Sequence, residues 1–200
     1  MEIVEFSALA SAQQPIVKDR RVSVHGPDLA ALLQSGRAIP LLEVLNHPDQ
    51  TYEVKRFTYG HILEPGATDA QISSWAAEHP SHLIPDDLKA VLKQVNGIHL
   101  WADLAKKRSY FGVLPVAEWR DAATWEWGLL FIEPPTGLVA MSYHENGDFY
   151  LILDTVTGVY YWYDTEDFGR PTMIGRSASE LLGWWWTKAQ DNDPRIEPTT

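Results

Sequence analysis

At Ile98 the apolar residues of this chain change period, from every third or fourth position to every second. That switch limits the chain to folds that join amphipathic helices to a sheet built from hairpins. Upstream of it, Thr68 and Gln71 have capping-box spacing, so each side chain can satisfy an orphan N–H at a helix start. The helix they open carries Ile72, Trp75 and Ala76 on one face and ends before Pro80. A second helix starts at Pro85, with Asp86 and Asp87 suited to the positive end of its dipole. Leu88, Val91, Leu92 and Val95 form its apolar stripe, and Asn96-Gly97 reads as a left-handed stop. Downstream, residues 98–101, 110–116, 128–132, 138–143, 149–153 and 159–163 are short β-type runs divided by turn residues. Residues 145–148 (Glu-Asn-Gly-Asp) and 155–158 link successive runs as hairpins. Ser177 and Glu180 make another capping box, opening a helix through Leu181, Leu182 and Trp185. The class is α+β: N-terminal helices, a central antiparallel sheet of about 4–6 strands, and a C-terminal helix packed on it.

The first 67 residues read differently. Residues 28–35 read as a short helix ended by Gly36, and residues 39–45 as another, stopped by His47-Pro48. Residues 51–59 read as a strand, and Glu64-Pro65-Gly66 as a turn. Phe6, Tyr52, Phe57 and Tyr59 are the only aromatics here, too few for a separate core at that length. Residues 1–67 are therefore expected to be an extension packed on a domain at 68–188, with 189–200 a flexible polar tail.

Charge narrows the partners. Sixteen basic against 27 acidic side chains give a net charge of −11, and residues 118–200 hold −9 of it. Nucleic acid and anionic membranes are themselves negative, so neither is an expected partner. No run approaches the ~20 apolar residues of a membrane span. The Ala-rich N-terminus lacks a basic n-region, with Glu2 and Glu5 in its place, so the chain reads as cytoplasmic. There is no cysteine, which excludes disulfides, thiol nucleophiles and Cys-ligated metal.

Motifs for chemistry are sparse. The sequence has no GxGxxG, Walker loop, GxSxG or HExxH. His79 and His82 are three apart, but Pro80 ends the helix between them, so they read as loop histidines and not as metal ligands. His144 beside Glu145 and Asp148 lies at a hairpin tip, too open for the pKa shifts of acid–base catalysis. Asp148, Asp154, Asp164, Glu166 and Asp167 recur at strand ends, where aspartate commonly makes turns. With the tryptophans they could form a carbohydrate-active site, the remotest reading. No catalytic residue, cofactor or metal is expected. Trp184-Trp185-Trp186 cannot share one helix face, so one of them leaves the stripe for a groove or an interface.

Three segments in order carry a family likeness. Leu83-Ile84-Pro85-Asp86-Asp87-Leu88 followed by Val95-Asn96-Gly97 resembles a signature helix of the SUKH superfamily. Asn146-Gly147-Asp148-Phe149-Tyr150 with Asp154 is similar to its Asn-Gly-Asp hairpin strand, and Thr157-Gly158-Val159-Tyr160-Tyr161-Trp162 to the strand that follows. In this chain Tyr163 stands between Trp162 and Asp164, where the family often has the acid next to the tryptophan. The superfamily joins bacterial toxin-immunity proteins with fungal Smi/Knr regulators of cell-wall synthesis. The resemblance covers about residues 68–188 and implies a non-enzymatic immunity protein that occludes a cognate toxin domain, or alternatively a regulatory scaffold. The acidity points to a basic toxin such as a nuclease. The expected partner surface is Glu145, Asp148, Asp164, Glu166 and Asp167, with Glu126 and Trp127 from the Trp-rich connection.

Overall fold

A computed structural model describes residues 50–105, 111–121, 137–144, 149–164, 171–190 and 195. The helices expected at 28–35 and 39–45 and the strand at 128–132 lie outside the described residues. Among the described residues, ten strands and three α-helices follow one another in an α+β order. They are β1 (Thr51–Val54), β2 (Phe57–Pro65), α1 (Asp69–Glu78), α2 (Asp86–Gln94), β3 (Val95–Asp103) and β4 (Phe111–Val113). After a 3-10 turn at Val116–Glu118 come β5 (Arg120–Asp121), β6 (Leu138–Ala140), β7 (Ser142–His144), β8 (Phe149–Asp154), β9 (Val159–Asp164), β10 (Thr172–Gly175) and α3 (Ala178–Ala189).

The strands sort into two antiparallel sheets of five, in the orders β1-β2-β3-β4-β7 and β10-β9-β8-β6-β5. One segment serves both. Residues 138–143, read from sequence as one run, break at Met141 into β6 and β7. The Met141 N–H donates to Leu151 O at 2.9 Å, and its carbonyl accepts from the Leu114 N–H at 2.8 Å, so a single residue ties the sheets together. Residues 51–59 are likewise two strands, because Lys55 takes a left-handed turn conformation (φ 57°) and folds β1 back on β2.

Local chemistry sets the helix ends. Thr68 Oγ1 accepts from the Gln71 N–H while Gln71 Oε1 accepts from the Thr68 N–H at 2.8 Å. Ser177 and Glu180 repeat the arrangement on α3. Asn96-Gly97 does not stop α2. Val95 is already extended (φ −146°), so helix passes straight into strand, and the Asn96 side chain instead accepts from the Val116 N–H at 2.8 Å. Gly97 keeps a positive φ of 143° inside β3. Gly66 belongs to no tight turn; a Cβ there would overlap the Lys93 carbonyl, so the end of β2 can lie against α2.

The main core lies between the helices and one face of the sheets. Ile72, Trp75, Leu88, Leu92, Leu181 and Trp185 meet Leu63, Ile98, Leu151, Leu153, Tyr160 and Trp162. Leu63 comes from β2, so the hairpin before residue 66 supplies both strands and core. At the other end, Ala189 closes α3 in a buried position and the Arg195 guanidinium sits 4.3 Å over the Tyr52 ring.

Candidate partner surface

The strand pairing locates the expected acidic surface. In the β8–β9 ladder Phe149 is opposite Asp164, and β7 ends at His144. Phe149 and Asp164 are therefore neighbours at the end of the ladder away from the 154–158 turn. Of the seven predicted surface residues, Asp164 is described. It is half-buried at the tip of β9 and, after burial itself, is the second cause that raises the Tyr163 pKa. Glu145, Asp148, Glu166, Asp167, Glu126 and Trp127 lie outside the described residues.

The turn end has a different character. The Asp154 carboxylate accepts from the backbone N–H groups of Val156 and Thr157, the turn-forming use anticipated for a strand-end aspartate. Next to it, buried Thr155 bonds through Oγ1 to Gly137 O at 2.8 Å and to His82 Nδ1 at 2.9 Å. His82 Nε2 lies 3.1 Å from Asp121 Oδ2. His82 is a loop histidine, as read, yet only 4% of it is exposed. Thr155, His82 and Asp121 stand in the order of a catalytic relay, but the hydroxyl is sealed from solvent and held by a carbonyl. The geometry serves as a tie between the α1–α2 connection and the second sheet. Sequence reasoning missed it because its members are 39 and 73 positions apart.

The three consecutive tryptophans find three directions. Trp185 is fully buried, and Trp186 stacks on Trp101 with centroids 5.6 Å apart. Trp184 is the one that leaves the stripe. It is half-buried against Trp162 at 5.5 Å, and Lys188 Nζ lies 5.0 Å and 5.6 Å from the Trp184 and Trp162 centroids. An ammonium over two π faces is attracted by their quadrupoles. Large apolar side chains remain exposed at Leu83, Val156 and Met173. Among the described residues, no group of three or more His, Asp or Glu could hold a metal ion, and no helix is long and apolar enough to cross a membrane.

The family model described as SMI1 / KNR4 family (SUKH-1) matches residues 66–184. That span includes α1, α2, the β8–β9 hairpin, and α3 as far as Trp184, so the chain belongs to this family. Among curated proteins, none matches the chain.

Proposed function

We propose that this SUKH-1 chain is an immunity protein: it binds a basic toxin domain, such as a nuclease, in the cytoplasm and neutralises it by occlusion, without turnover. The observation that carries the reading is the uneven charge, −9 of a total −11 within residues 118–200. Within that stretch, Asp164 closes β9 opposite Phe149 of β8. An acidic face can occupy the place a nuclease keeps for phosphate, and opposite charge raises the association rate by ~10–10³-fold. Exposed like charges repel one another in the unbound protein by only tenths of a kcal/mol. They become favourable when a cationic surface docks.

The test uses the full chain and the toxin domain encoded beside its gene. Co-expression is expected to relieve toxicity, and stopped-flow mixing to show association that slows with salt. Glu166→Lys with Asp167→Lys should lower the low-salt on-rate about tenfold and leave folding intact, because rim charges act through steering. A chain that neither binds nor protects is left with the regulatory-scaffold role. An unchanged on-rate in the double variant moves the contact surface elsewhere.

A further inference from the structure

The partners of His82 decide where its protons sit. Thr155 has one hydroxyl proton, and its Oγ1 lies 2.8 Å from Gly137 O and 2.9 Å from His82 Nδ1. When that proton goes to the Gly137 carbonyl, Oγ1 accepts from the ring, so Nδ1 must carry a hydrogen. His82 Nε2 faces Asp121 Oδ2 at 3.1 Å, and an ionised carboxylate only accepts, so Nε2 must carry one too. All three bonds exist together only when the ring is an imidazolium. With one proton fewer, Nε2 keeps its hydrogen for Asp121, and the bare Nδ1 draws the Thr155 hydroxyl away from Gly137. The Gly137 carbonyl then keeps the Thr155 N–H, at 2.8 Å, as its donor.

The His82 side chain is 2% exposed, whereas that of Asp121 is 26% exposed and gives the proton a way in. The other described titratable and charged groups around the ring have partners of their own or face solvent. His79, 6.0 Å away between centroids, stacks on Trp75 and donates from Nδ1 to the Trp75 carbonyl. Asp154 and Arg176 hold the backbone of the 155–158 turn, at the Val156 and Thr157 N–H groups and the Thr157 carbonyl. Arg120, beside Asp121 on β5, is exposed. The bonded set thus joins the α1–α2 connection, the β8–β9 turn, β5 and the residue before β6. Leu83 and Val156, the chain neighbours of His82 and Thr155, are 72% and 73% exposed.

We infer that His82 is a proton-operated latch across this end of the fold. Histidine is the side chain whose charge changes between about pH 5 and 8. Uptake of a proton restores the bond from Thr155 to Gly137 and turns the Asp121 contact into an ion pair. The α1–α2 connection is then held to the β8–β9 turn, which fixes the spacing of exposed Leu83 and Val156. Loss of the proton loosens the connection. The latch stands independently of the immunity role.

The test is ring-nitrogen NMR of the full chain with isotope-labelled histidine, together with amide hydrogen exchange. Both His82 nitrogens are expected to carry protons at pH 5.5, and Nε2 alone at pH 8. The Thr155 amide, corrected for intrinsic exchange and referred to the amides of β3, should be protected about tenfold more at the lower pH, the difference a charge-assisted bond makes. Thr155→Val lacks the hydroxyl and Asp121→Asn the charge, so each should flatten that response, while Thr155→Ser should keep it. His79→Gln should keep it too, which excludes the neighbouring imidazole as its source. A ring with the same protons at both pH values, Thr155 protection that does not change with pH, or a Thr155→Val chain that responds like the parent would each overturn the inference. The ring-nitrogen measurement needs no variant, so it decides the matter even where a substitution fails to fold.

Discussion

His99 sits in β3, opposite Gly112 on one side and Ile62 on the other, with 1% of its surface exposed. Burial penalises the imidazolium and pushes its pKa down to about 4. The unfolded chain binds that proton near pH 6.5, the native chain only near 4. The buried neutral ring is therefore tolerated without penalty above pH 6.5, and stability is lost as pH falls from 6.5 to 4. A shift of that size corresponds to ~3 kcal/mol. His99→Gln has no such titration, so denaturant melts at pH 7 and pH 4.5 should show a smaller acid loss in the variant than in the parent. Equal losses in both would place the acid sensitivity elsewhere. Trp101, two residues on, is held at φ 47°, a conformation that costs a bulky residue ~1–3 kcal/mol. Its N–H donates to His61 Nδ1 at 3.2 Å and its ring is flanked by His61 and Trp186, contacts that offset the strain.

At the scale of elements, one carboxylate joins two helix starts. Asp87 Oδ1 accepts from the Leu88 N–H at 2.9 Å and Oδ2 from the Ala178 N–H at 2.6 Å, so α2 caps α3 across 91 positions of sequence. Charge-assisted bonds to orphan helix donors are worth more than neutral ones. Asp87→Ala should cost ~2 kcal/mol in chemical denaturation, and Asp87→Asn less, since an amide keeps one acceptor oxygen. A neutral Asp87→Ala would mean water serves those donors equally well. The sequence disclosed Asp87 as a first-turn acid but not its second partner, and that division runs through the whole fold. Thr68 with Gln71 and Ser177 with Glu180 were legible because a capping box is complete within four residues. Asn96-Gly97 misled because the same pair suits a helix stop and a kinked strand start, and the choice is made by Val116, 20 residues away. β10 escaped notice because Thr-Met-Ile-Gly lacks alternation, and the break at Met141 because it arises from pairing with Leu114 and Leu151. In the candidate surface, the odd tryptophan was foreseeable from the 100° helical step, whereas its pairing with Trp162 was not.

For the whole molecule, the family match and the physical unit begin at different places. The match starts at residue 66, one position after β2 ends. The first sheet does not start there. β2 lies between β1 and β3 and is paired from Tyr59 opposite Asp103 to Pro65 opposite Val95. Every residue of β3 is buried, which a strand achieves only with neighbours on both edges and cover on both faces. Leu63 enters the main core with no surface exposed, while Ile62 meets Ala102 on the opposite face. A chain beginning at Gly66 would leave the β3 backbone unpaired along one side and open the space Leu63 fills. Unpaired strand edges and exposed apolar surface favour aggregation over a cooperative native state. Such a chain is expected to elute as aggregate and to melt without a sharp transition. Leu63→Ala in the full chain tests the same point without truncation, since deleting a buried leucine costs ~2–5 kcal/mol through lost transfer energy and the cavity left behind. A Leu63→Ala protein as stable as the parent would show that residues before 66 merely lie on a core that begins at α1. A loss in that range makes the β1–β2 hairpin part of the same folding unit as α1, α2 and β3.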